Sequence, residues 1–171
     1  MANHNTVAHH WANQTGRACK GLNMYYEGRT LYSYGSHFPI ARITQDAHGE
    51  TVVLFTGRSY SISTAKHKSI AARACSHLPT FTVEHVLAAD HHANREGMIF
   101  AAQEAVKRAK RARVRGAEHL RSAQWWLDEA NDYARRFAMD VEPVTFETLG
   151  VAFEAIAARI AAACLAGIES I

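Results

Sequence analysis

The sequence predicts an α+β fold: a small antiparallel β-meander of four or five strands followed by a mainly helical, elongated C-terminal bundle. From Leu22 to Ser63 the chain is rich in Tyr, Thr, Ser, Val and Phe, with turn residues at short intervals, the mark of short paired strands. Beyond residue 64 apolar residues recur at spacings of three and four, the mark of helices with one buried face. A chain of 171 residues, 48% hydrophobic and 20% charged, has enough apolar surface to build a core and is neither disordered nor collagenous. Three segments are expected: an N-terminal segment over 1–21, the meander with a covering helix over 22–78, and a helical region over 79–171 that dimerises.

Taken in order, LNMYY and TLYSY flank Glu27-Gly28-Arg29, where Gly28 supplies the positive φ of a tight hairpin. HFPIARIT and ETVVLFT flank Asp46-Ala47-His48-Gly49 in the same way. Pro39 cannot donate to a ladder, so its strand is an edge or begins near that residue. SYSIS reads as a fifth short strand. Ser63 or Thr64 then caps TAKHKSIAARACSHL, with Pro79 just past its end. Thr82 caps the next helix, with Phe81 and Val86 as its hydrophobic staple, and the pattern runs from Val83 to Arg115 with Gly116 as its stop. The stretch DHHANREG (90–97) is poor enough to break it. Leu120, Ala123, Leu127, Ala130, Ala134 and Phe137 form one apolar seam. The last helix opens at Thr145 with a Val144–Leu149 staple, and its seam includes Phe146, Leu149, Phe153, Ile156 and Ile160. Alanine on its other sides lets a neighbouring backbone approach closely, so these five residues are assigned to a homodimer interface.

The segments YSYGSHFPIA (32–41) and GRSYSISTAKHKS (57–69) resemble an uncharacterised family of phage and plasmid proteins with the patterns YSYGxHFPIA and RxYSxTTSKH. The resemblance covers about 50 residues, Asn23 to Arg73. Gly35, His37, Phe38, Pro39, Tyr60, Ser61, Thr64 and His67 fit, while Ala65 stands where Ser is frequent, which removes a hydroxyl there. What the resemblance implies is residence on a mobile genetic element, where proteins of this size without an enzyme signature are often inhibitors of host defence, anti-CRISPR proteins among them.

Eleven histidines raise the question of a metal, but His4 with His9-His10, His37 with His67, and His85 with His91-His92 all lack ligand spacing. No metal and no cofactor is expected. P-loop, GxGxxG, GxSxG and HExxH motifs are absent. For chemistry the candidate cluster is Tyr34, His37, Thr64 and His67, with Ser61 and Lys66, at strand ends and a first helical turn. There a histidine can bind an anion or act as acid or base, or simply satisfy backbone groups.

The strongest physical feature is VKRAKRARVR, with Lys107, Arg108, Lys110, Arg111, Arg113 and Arg115 close together. At helical periodicity Lys107, Arg108, Arg111 and Arg115 share one face, while Ala101, Ala105, Ala109 and Ala112 line another. Such a stripe suits phosphate backbones or acidic protein surfaces, and without aromatic interleaving it does not read as a platform for stacking single-strand bases. Residues 1–126 hold 16 Lys and Arg against 8 Asp and Glu, and 127–171 hold 3 against 8, so a basic front precedes an acidic tail. Three scattered cysteines outside any CxxC spacing point to a reducing cytoplasmic setting, and no apolar run approaches a membrane span. The function expected is that of a non-enzymatic mobile-element protein that binds and inhibits a host defence nucleoprotein complex. Its partners are a host protein or nucleoprotein complex, RNA or other nucleic-acid phosphates, and a second copy of itself. The alternatives are an enzyme acting on a nucleotide or nucleic acid through Tyr34, His37, Thr64 and His67, and a DNA-binding regulator.

Overall fold

The structure, a computed structural model, describes residues 2–16, 18–58, 61–87, 90–112 and 114–168. The elements in chain order are α1 (His4–Ala12), β1 (Ala18–Lys20), β2 (Met24–Glu27), β3 (Thr30–Ser33), β4 (Pro39–Gln45), β5 (Thr51–Thr56), α2 (Ile62–Ala74), β6 (Thr80–Val83), α3 (His91–Arg111), α4 (Gly116–Arg136) and α5 (Phe153–Ile168). The fold is α+β. An N-terminal meander within a six-stranded mixed sheet is followed by a mostly helical C-terminal region.

The strands lie in chain order; β1 to β5 pair antiparallel, and β6 pairs parallel with β5. Both predicted hairpins form. Gly28 opens the β2–β3 turn with φ 54°, the conformation a two-residue turn requires at its first central position. At the β4–β5 turn the buried Asp46 carboxylate accepts the backbone N–H groups of His48 and Glu50, both at 2.9 Å, and so adds to the backbone bond from Asp46 N–H to the Glu50 carbonyl that closes the turn. Pro39 begins β4, which is a central strand, so the second of its two options holds.

Four expectations are corrected in this part of the chain. Residues 4–12 form a helix that the N-terminal segment did not advertise, capped by Asn3 and burying Val7, Ala8 and fully buried Trp11. Ser61 starts a helix, accepting Thr64 N–H at 3.2 Å, so 61–63 are not the end of a fifth strand and the cap is neither Ser63 nor Thr64. Ser59 and Tyr60 lie outside the described residues. Thr80–Val83 is a strand, because parallel pairing with the buried run Val53–Thr56 outweighs the local capping signal at Thr82. The following helix begins instead after Asp90, whose carboxylate accepts Ala93 N–H at 2.9 Å, so DHHANREG is a start and not a break.

The chain divides into two compact units, Met1–Asn94 and Arg95–Ile171, which leaves β6 with the sheet and not with the helical region. In the first unit α1 and α2 cover one sheet face around Trp11, Met24, Tyr26, Leu31, Val53, Phe55 and Ile70. The Trp11 indole donates to the Arg29 carbonyl at 2.9 Å, fastening α1 to the first hairpin. In the second unit Ala105, Val106 and Ala109 of α3, Leu120 and Ala123 of α4, and Ile156 and Ile160 of α5 form one core.

Gly116 does not stop a helix; it begins α4. A Cβ there would stand 2.8 Å from Ile160 Cγ1, so the glycine permits α4 and α5 to touch. Thr145 opens only one turn. Thr145 and Thr148 exchange backbone-to-hydroxyl bonds of 2.8 and 3.1 Å, but Gly150, at φ 65°, ends the turn in a Schellman motif: Val151 N–H bonds to the Phe146 carbonyl and Gly150 N–H to that of Glu147. Helix α5 then starts afresh at Phe153.

Candidate functional site

Two of the four residues in the proposed chemical cluster meet. Helix α2 turns Thr64, His67, Ile70 and Ala71 inward, and the buried His67 Nδ1 lies 2.8 Å from the Ser33 hydroxyl at the end of β3. The Tyr34 ring stands 5.9 Å from the His67 ring, and His4, at the start of α1, packs edge-on to it at 4.5 Å. Thr64 is spent on the helix start, its hydroxyl 3.1 Å from Ser61 Oγ. His37 folds back over Gly35, where an added Cβ would meet its ring at 2.6 Å; no hydrogen bond or ring contact among the described residues joins it to His67.

The motif YSYGSHFP is thus a compact turn. Ser33 N–H bonds to the Phe38 carbonyl at 3.1 Å and Tyr34 N–H to that of Asn23 at 2.7 Å, while Phe38 enters the core. Tyr34 is held at φ 65°, a left-handed conformation that side-chain-bearing residues seldom adopt, and the residue remains 56% exposed. Lys68 closes the other side. Its ammonium donates to the Thr56 carbonyl at 2.6 Å and to that of Arg58 at 3.3 Å, tying α2 to the end of β5.

Burial pushes the His67 pKa down, and the neighbouring His4 and Lys66 push it further in the same direction. His67 is therefore neutral at physiological pH. A neutral imidazole bonded to a hydroxyl resembles a nucleophile with its base, but Ser33 is fully enclosed and His67 is 3% exposed. A nucleophile needs access to its substrate, and this hydroxyl has none. Ser33 and His4 escaped the sequence reading because only the register of β3 and the packing of α1 bring them to His67. The one available signal was the inward position of Ser33 in the alternation Met24, Tyr26, Leu31, Ser33.

In the second unit, Lys107, Arg108, Lys110 and Arg111 are exposed on the last turns of α3, while Ala105 and Ala109 are buried, as the periodicity required. The expected face is shorter than the sequence suggested. Helix α3 ends at Arg111, Arg115 is the left-handed residue before α4 with φ 65°, and Arg113 lies outside the described residues. Lys107 bonds Glu104 at 2.6 Å, and Arg115 approaches Glu118 at 4.0 Å. The hydrogen bond from Lys107 holds the Glu104 carboxyl below its ordinary range, and the charges of Lys107, Arg108 and Arg111 add to that effect. Among the described residues Arg108, Lys110 and Arg111 form no ion pair of their own.

The seam assigned to a dimer is used inside the chain. Ile156 and Ile160 are buried against α3 and α4, and Phe146 stacks on Phe153 at 4.8 Å against the same core. Leu149, in the turn before α5, is half-buried. Arg159 reinforces the packing by donating to the Ala109 carbonyl at 2.8 Å.

Among the described residues no group of three or more His, Cys, Asp or Glu side chains is placed to hold a metal ion. Nor is any helix among them long and apolar enough to cross a membrane. Comparison with protein-family models, with curated proteins and with solved structures finds no match.

Proposed function

We propose that this chain is a non-enzymatic binding protein that engages a polyanionic partner, a nucleoprotein complex, through the C-terminal turns of α3. The observation that carries the reading is the row Arg108, Lys110 and Arg111: exposed, without an ion pair among the described residues, and set on a helix whose opposite face is buried alanine. Unpaired cations on a rigid element gain by releasing counterions from a phosphate backbone, and a rigid helix loses little entropy in presenting them. The motif resemblance of residues 23–73 supports a phage or plasmid setting, and in that setting the partner is a host defence nucleoprotein complex that the protein binds and inhibits. An enzymatic reading has the Ser33–His67 bond in its favour and the enclosure of Ser33 against it; we read that pair as a tie between α2 and the sheet.

The test is retention on heparin and capture of nucleoprotein from bacterial lysate, with and without nuclease, for the parent and for a variant carrying Arg108→Glu and Arg111→Glu. Both sites are exposed, so the variant should fold. Loss of retention and of capture is the expected result. Unchanged retention at every salt concentration would mean that the basic turns are only a solvated surface.

A further inference from the structure

Helix periodicity places Phe100 on the same face as the cations. Stepping 100° per residue from Phe100, Glu104, Lys107 and Arg111 fall within roughly 40° of it and Arg108 within about 80°. Phe100 is 60% exposed, although it stands in a helix whose apolar side is buried through Met98, Ala102, Ala105 and Ala109. A phenyl ring left in water at the head of a basic row is unexplained by the core. No aromatic interleaves residues 107–115, which is why the sequence alone argued against a stacking platform; the ring lies two turns upstream.

We propose that the outer face of α3 from Phe100 to Arg111 binds single-stranded nucleic acid, with one base stacked on Phe100 and the phosphates beyond it held by Arg108 and Arg111, while Lys107 is paired with Glu104 at 2.6 Å. This rests on the polyanion reading above and names the partner chemistry. The dimensions agree. From Phe100 to Arg111 the helix rises about 16 Å, which at about 3.4 Å per nucleotide along one strand corresponds to roughly five nucleotides. That lies within the usual range of single-strand sites, where a base–aromatic stack contributes affinity without sequence preference. A duplex keeps its bases stacked inside and has no face to offer the ring. An acidic protein surface would satisfy the cations equally but would not need an aromatic. Glu104, the carboxylate between Phe100 and the cations, is paired with Lys107 at 2.6 Å, and Glu96 is exposed one turn before Phe100 at the far end of the face.

The test measures fluorescence anisotropy of labelled oligothymidylate and oligouridylate of about ten nucleotides, of a duplex of equal charge, and of polyglutamate. Phe100→Ala should weaken binding of both single strands roughly tenfold and leave the duplex within about twofold. Phe100→Trp should restore single-strand binding, and Phe100→Leu, equally apolar but without a π face, should not. If Phe100→Ala changes nothing while Arg108→Glu with Arg111→Glu abolishes binding, the polyanion reading stands and the single-strand assignment falls. Should Leu serve as well as Phe, or polyglutamate bind as tightly as the oligonucleotides, the face is one for an acidic protein. If no polyanion binds at low salt, both readings fall together.

Discussion

Replacing Ser33 by Ala removes one oxygen from the centre of the first unit and tests the assignment of His67 as a structural tie. The hydroxyl is fully buried and 2.8 Å from Nδ1, and the imidazole is 3% exposed, so the bond is shielded from bulk water. The loss is then that of a buried hydrogen bond with its partner left unsatisfied, about 1 to 3 kcal/mol. Replacing both members, Ser33→Ala with His67→Leu, removes the orphan as well, so the double variant should be more stable than the sum of the single losses. Urea unfolding followed by tryptophan fluorescence reads these differences as midpoint shifts at constant slope. The sign with pH follows from the depressed pKa of His67. Its unfolded value is about 6.5, the folded value is lower, and the unfolded chain therefore binds the proton first. The contribution of the neutral ring is fully present above about pH 6.5 and is lost as pH falls from there through the folded pKa. His91, also depressed by burial, adds a dependence of the same sign, so the double variant should show a flatter acid limb, not a level one. A Ser33→Ala protein within about 0.3 kcal/mol of the parent at neutral pH, or an acid limb unchanged in the double variant, would refute the tie and return the pair to candidate chemistry.

Gly116→Ala should destabilise by about 1 to 3 kcal/mol, because the new methyl enters a packed core against Ile160 and the gain in helix propensity only partly offsets it. In an Ile160→Ala background the same change should cost less, and the midpoint of both should be independent of protein concentration; a midpoint that rises with concentration would support the homodimer expected from the sequence. Burial raises the Cys75 thiol to about 11, so at pH 8 a thiol reagent should modify half-buried Cys19 well before Cys75 in the native protein. Equal rates for the two would mean that the α2 end of the core opens readily.

The hairpins, the seam of α4 and the alanine-backed cations of α3 were legible in the sequence because each is decided by neighbours a few residues apart: Gly28 and Asp46 in their turns, and helical periodicity in the rest. What depended on distant partners was not. Thr82 with Phe81 and Val86 is as good a helix start as a strand, and pairing with β5 decides for the strand. Gly116 looks like a helix stop until Ile160, 44 positions later, shows that closeness and not chain reversal requires it. His4 and His67 share one small site although the chain separates them by 63 positions, since the sheet register and the packing of α1 under Trp11 bring them together. The prominence of Phe100 likewise emerges only from tertiary structure. Its spacing marks a face, but whether that face meets a core or meets water is settled by which other surfaces the folded chain has already buried.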